Sequence, residues 1–136
     1  MMNKFYRTFL FLAIICTSVT INSAEVNSWE CSKFEDSKII SSDGKYLGTL
    51  GPSWKSDSIY NDSSEYSSSW SSISIYNKNS NYGNSYSSES VFNEDASEPP
   101  KIISKEGKEV GLLSIGPDWS SDRYDPADIK YTCDWD

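Results

Sequence analysis

No histidine occurs anywhere in the chain. That absence removes the usual base of a serine or cysteine triad and the commonest zinc ligand. Apolar length is also scarce. The longest greasy run, Phe9-Leu10-Phe11-Leu12-Ala13-Ile14-Ile15, falls well short of the roughly 20 residues a bilayer-spanning helix needs. Positive charge is in deficit, with 12 basic against 20 acidic residues and a net charge of −8. Such a balance repels phosphate backbones and anionic membrane surfaces, so nucleic acid is not expected as a partner, whereas a basic protein or a cation would be attracted.

What the first residues do contain is a sequence of export features. Lys4 and Arg7 precede the apolar run, polar Thr17-Ser18-Val19-Thr20 follows it, and small Ser23-Ala24 closes it. This pattern predicts a secretory signal peptide over 1–24, cut after Ala24 or one residue earlier, and a secreted or periplasmic product not integrated in the membrane. Cys16 does not read as a lipid-anchored cysteine, because Ile15 before it is not small. Removal of 1–24 would leave a single domain over 25–136 with a net charge of about −10, since Lys4 and Arg7 depart and all the acids remain. Cys31 and Cys133 would then be the two cysteines left, and in an oxidising compartment they are expected to form one disulfide, with free thiols or an intermolecular bridge as the alternatives.

Repetition dominates the rest. Ser58-Ile59-Tyr60-Asn61 returns as Ser74-Ile75-Tyr76-Asn77 and as Ser90-Val91-Phe92-Asn93, giving repeats over about 58–73, 74–89 and 90–100. Tyr66 matches Tyr82 and Trp70 matches Tyr86 with the same period. A wider repeat encloses these: Lys38-Ile39-Ile40-Ser41, Asp43-Gly44-Lys45 and Leu47-Gly48 come back as Lys101-Ile102-Ile103-Ser104, Glu106-Gly107-Lys108 and Val110-Gly111. Gly51-Pro52-Ser53-Trp54 likewise matches Gly116-Pro117-Asp118-Trp119. Each flank reads as a β-hairpin turning at its acidic residue and glycine. In the middle, 16 serines over residues 53–90 disfavour helix. The large rings at fixed places argue for a folded segment rather than a disordered one. Short strands are expected there, with Ile59, Ile75 and Val91 in a common core, Tyr60, Tyr76 and Phe92 on the opposite face, and Asn61, Asn77 and Asn93 turning the chain. Helix is expected nowhere after residue 24, beyond a turn near Pro126-Ala127-Asp128. The fold class is thus mainly β: a small single domain of two related hairpin flanks around three stacked short repeats, closed by one disulfide.

The Ser-[Ile/Val]-[Tyr/Phe]-Asn repeats with their following Tyr and Ser-Ser, preceded by Asp43-Gly44-Lys45-Tyr46-Leu47-Gly48 and closed by Pro99-Pro100-Lys101-Ile102, resemble a group of secreted bacterial proteins with no assigned activity. The resemblance covers about residues 38–125. Members of that group carry Pro, Tyr and Gly after the repeat asparagine, where this chain has Asp62-Ser63-Ser64, Lys78-Asn79-Ser80 and Glu94-Asp95-Ala96, which leaves the geometry of those turns open. The resemblance implies a fold and a compartment and no chemistry.

No catalytic constellation is legible. The acids are numerous but no spacing pairs two of them for glycosidase-type work. No cofactor is expected. Calcium is the metal that the oxygen-rich turns leave open, yet Asn77-Lys78-Asn79-Ser80-Asn81-Tyr82-Gly83 departs from a calcium loop in its late glycine and in having no carboxylate among its alternating ligands. The expected function is a non-enzymatic module that binds an envelope glycan or protein through an aromatic face of Tyr60, Tyr76, Phe92, Tyr66, Tyr82, Trp70 and Tyr86. The alternative is a small acidic periplasmic inhibitor or immunity-type protein directed against a basic hydrolase or toxin.

Overall fold

Residues 26–117 and 120–136 are described in the structure, a computed structural model. The export signal expected over 1–24 and the flank positions Asp118 and Trp119 lie outside these residues.

The two flanks form the sheet. Strand β1 (Lys38–Ile40) pairs with β2 (Tyr46–Thr49), and β3 (Lys101–Ile103) pairs with β4 (Glu109–Leu113). Each hairpin turns as its sequence predicts. Gly44 and Gly107 both take φ of +87°, and the serine opening each loop binds the far side: the amides of Lys45 and Lys108 donate to the hydroxyls of Ser41 and Ser104. β1 and β3 then lie antiparallel with Ile39 opposite Ile102, two residues that are copies of each other in the wider repeat. A duplicated hairpin has therefore paired with its own copy about a local two-fold axis, the self-complementary arrangement that symmetric dimers use between chains. A short fifth strand, β5 (Arg123–Tyr124), runs parallel to β4 and completes the order β2-β1-β3-β4-β5. The symmetry extends to the edges, since Thr49 meets Ser58 in a parallel bridge just as Leu112 meets Arg123. At that edge the backbone passes so close that a Cβ on Gly48 would stand 2.9 Å from the Tyr66 Cβ and 3.0 Å from the Asp57 carbonyl oxygen.

The middle of the chain departs from the short strands expected. Among the described residues 59–98 hold no strand. The backbone instead closes a turn about every three residues: Asn61 N donates to Ser58 O, Ser64 N to Asn61 O, Asn77 N to Ser74 O and Ser80 N to Asn77 O. The residue that opens each turn is Ser or Asn because its side-chain oxygen accepts from the amide two residues on, as Ser58 does from Tyr60, Ser74 from Tyr76, Ser90 from Phe92 and Asn77 from Asn79. These local bonds satisfy the backbone without a ladder, and that is why a serine-rich segment folds here without strands. Asn61, Asn77 and Asn93 do more. The Nδ2 of each donates to the carbonyl six residues back, on Lys55, Ser71 and Ser87 at 2.8–2.9 Å, and so clamps two successive turns together.

The repeats stack. Ile59, Ile75 and Val91 are fully buried in one core with Ile39, Leu47, Leu50, Ile102 and Leu113, as the sequence predicted. The first hairpin lies across the array: Tyr46 packs on Tyr66, the Lys45 amine sits over the Tyr82 ring, and Ser42 donates to Glu89 at the junction with the third repeat.

Two helices overturn the expectation of at most one turn. A 3-10 turn, Ser28–Glu30, leads into α1 (Cys31–Phe34), and α2 spans Pro126–Cys133. α2 has the start signals of a helix, with Pro at its first position and Asp125 accepting from the Ala127 amide at 2.7 Å. It buries Ile129 against the core. The Cys31–Cys133 disulfide joins the two helices across 102 residues of sequence.

Candidate functional site

The rings assigned to one aromatic face divide into three rows. The row at 60, 76 and 92 is largely covered: Tyr60 is buried, donates its hydroxyl to the Pro126 carbonyl at 2.7 Å and tilts against Trp135, while the half-buried Tyr76 and Phe92 rings lie 5.8 Å apart. Burial, and then the neighbouring Asp125, push the Tyr76 phenol well above its ordinary pKa; Tyr60 is raised by burial too, so both stay protonated donors. The row at 66 and 82 packs on the first hairpin, with Tyr82 buried and Tyr66 edge-on to Tyr46 at 5.2 Å. Neither row offers a free contact surface along its length.

The third row does. Trp70 is 89% exposed and its copy Tyr86 is 92% exposed. One further ring belongs with them. Trp54 is 76% exposed and occupies the same place in its turn, sixteen residues before Trp70. Its turn closes from Lys55 N to Pro52 O, as the turn of Tyr86 closes from Ser87 N to Asn84 O. Extending the period one step toward the start of the chain is the signal that finds Trp54. Rings in contact with water at every copy of one position are not there for packing, since burial is what ordinarily rewards a large ring.

Beside Tyr86 the surface is concave. A cleft of about 560 Å³ opens between Tyr86 and the exposed edges of Tyr76 and Phe92, with Lys78 and Asn84 on its rim. Past Tyr86 and Phe92 it continues into a hollow of about 500 Å³ bordered by Asn93, Glu94, Asp95 and Ile115. An aromatic floor with amide, amine and carboxylate groups at its margin can stack on a flat apolar face and hydrogen-bond to the polar edge of the same ligand.

The Asn77–Gly83 stretch, considered above for calcium, uses its oxygens internally. Asn77 Oδ1 accepts from Asn79 N, and the Ser80 hydroxyl donates to Ser74 O and Asn77 O. No group of three or more Cys, Asp or Glu side chains able to hold a metal occurs among the described residues. No helix among them is long and apolar enough to cross a membrane. The disulfide fits an oxidising, extracytoplasmic setting.

No family model, curated protein or solved structure matches this chain.

Proposed function

We propose that the protein is an exported, non-enzymatic binding module that contacts an envelope glycan through the row Trp54, Trp70 and Tyr86. The observation that carries this reading is the exposure of that row, one ring per copy of the sixteen-residue period, each more than three-quarters open to water. Exposed rings on a rigid frame suit the apolar face of a sugar, and contact of this kind loses little to salt. Export is supported by the N-terminal pattern together with the disulfide. The negative charge fits a neutral or amine-bearing glycan and disfavours a polyanionic one. The test is retention of the purified 25–136 fragment on insoluble peptidoglycan, chitin and cellulose at low and high salt. Retention on at least one, little changed by salt and weakened in Trp70→Ala and Tyr86→Ala, is expected. A complex with a basic protein that dissolves with salt, and no glycan retention, would replace this reading by an inhibitor.

A further inference from the structure

Three hollows run end to end from the second repeat past the third. The aromatic cleft of about 560 Å³ shares Tyr86 and Phe92 with the hollow of about 500 Å³, which in turn shares Glu94 and Asp95 with a third of about 270 Å³ that reaches Pro117 and Arg123. The two larger volumes lie in the range of small-molecule sites. Charge is spread unevenly along this line. Lys78 borders the first hollow, whereas Glu94 and Asp95 border the other two. All three side chains are exposed, and none has a hydrogen bond or ion pair among the described residues. Arg123 shares the last hollow with the two acids but spends its guanidinium on the carbonyls of Ala96 and Gly116, at 2.9 and 2.8 Å. Two neighbouring carboxylates therefore stand without a partner at one end of an aromatic cleft.

The cleft gives an extended peptide little to hold. The amides of Tyr76, Asn84, Tyr86, Phe92, Asp95 and Ile115 are each taken by a neighbouring carbonyl or by a Ser or Asn side chain, so no row of free donors is offered for strand addition. Recognition must come instead from ring faces and side-chain charge, which suits a sugar. Resting on the glycan reading above, we infer that the first two hollows form one site for a sugar bearing a free amine. The apolar face of the sugar lies against Tyr86 and Phe92, and its ammonium group meets Glu94 and Asp95, which gain the charged partner that the protein does not give them. Lys78 at the other end repels the amine and so sets the direction in which the sugar lies. An N-acetylated sugar lacks the charge, and an anionic one is repelled by the same two carboxylates. The ligand class narrows from glycan in general to one carrying unacetylated amino sugars.

Calorimetric titration of 25–136 with the β-1,4-linked trimer of glucosamine and with its N-acetylated counterpart tests this, at about pH 5.5, where the sugar amine is charged and ordinary carboxylates are ionised. The glucosamine trimer should bind about fivefold more tightly, the modest gain expected of exposed charge pairs. Glu94→Gln combined with Asp95→Asn should abolish that preference and leave affinity for the N-acetylated trimer unchanged, while Tyr86→Ala should weaken both trimers by about fivefold. All three substitutions fall at exposed positions, and unchanged thermal unfolding would verify that the variants remain folded. Affinity for the N-acetylated trimer equal to or above that for the glucosamine trimer, or a preference that survives the double variant, would overturn the amine site while glycan binding by the ring row stood. A Lys-Tyr-Lys peptide that binds as tightly as the glucosamine trimer, and loses its binding in the double variant, would overturn the sugar in favour of a basic peptide. Absence of binding by both trimers, together with absence of retention on insoluble glycan, would overturn this site and the glycan reading alike.

Discussion

Asn77 gives the sharpest test of how the repeats hold together. Its side chain is 7% exposed, donates to Ser71 O at 2.9 Å and accepts from Asn79 N at 2.9 Å. Truncation in Asn77→Ala leaves the Asn79 amide without its partner and takes one of two bonds from Ser71 O, which keeps the one from the Ser74 amide. At about 1 kcal/mol for each bond, and somewhat more for a group left unsatisfied, the loss should be about 2–3 kcal/mol. The same bonds at Asn61 and Asn93 lie in half-buried positions, where water can replace them, so Asn61→Ala and Asn93→Ala should lose about 1 kcal/mol each. Asn77→Asp keeps the acceptor but turns a carboxylate toward the Ser71 carbonyl. It should match the alanine variant at neutral pH and recover part of the loss in acid, where the protonated carboxyl donates. The sign follows from its folded-state pKa, which the buried acceptor raises above the unfolded value: stability is full below about pH 3.9 and is lost as pH rises through the folded pKa. Urea unfolding of the four variants at pH 7, and of the aspartate variant down to pH 3, measures all of this. An Asn77→Ala midpoint indistinguishable from that of the parent protein would refute the clamp as a source of stability.

Three further outcomes are expected. A Cβ on Gly83 would collide with the carbonyl oxygens of Ile75 and Asn77, which are backbone and cannot swing aside, so Gly83→Ala should cost about 3 kcal/mol or more, while Gly107→Ala, with open space but φ of +87°, should cost about 1 kcal/mol; thermal unfolding compares them. Reduction of Cys31–Cys133 releases a constraint spanning 102 residues and should lower stability by about 4–5 kcal/mol on the chain-entropy account, read as the urea midpoint with and without reductant, and a loss under 1 kcal/mol would contradict it. Tyr60 and Tyr76 have phenol pKa values raised by burial, so the folded state holds protons that the unfolded chain gives up near pH 10; stability should fall above that pH by up to about 1.4 kcal/mol per pH unit for each, and Tyr76→Phe should flatten the fall.

The hairpins and the disulfide were legible because each rests on a local or countable signal: Asp43-Gly44 and Glu106-Gly107 demand a turn, and the loss of Cys16 with the export signal would leave one pairing. The sixteen-residue period was legible as well, and with it the common core of Ile59, Ile75 and Val91. The three-residue period inside it was not. Ser or Asn stands at 58, 61, 64, 71, 74, 77, 80, 84, 87, 90 and 93, yet in so serine-rich a stretch this phase looks like composition, and the periods that signal strands and helices are 2 and 3.6. Helix α2 escaped because its apolar face is narrow, though Asp125-Pro126 is a sound helix start. Trp54 escaped because Gly51-Pro52-Ser53-Trp54 matches the second flank and was absorbed into that wider repeat. It belongs to both patterns, since the first flank ends where the array of turns begins.

That overlap explains why the row has three rings. The first flank hands the chain to the array through the Thr49–Ser58 bridge, and the second flank receives it where Ile115 N donates to Val91 O and Arg123 donates to the Ala96 carbonyl at 2.9 Å. Between these fixed ends the first hairpin covers one side, from Tyr46 on Tyr66 to Ser42 on Glu89. A further repeat would extend past Ser42, where this hairpin turns back, and its ring corresponding to Tyr82 would have no strand to pack on. The array thus ends beside the point where the first hairpin turns back. Trp70 and Tyr86 stand on turns whose opening residues, Ser68 and Asn84, accept from the ring residues' own amides, and on the proposed glycan reading such local bonds would reduce the ordering cost of binding.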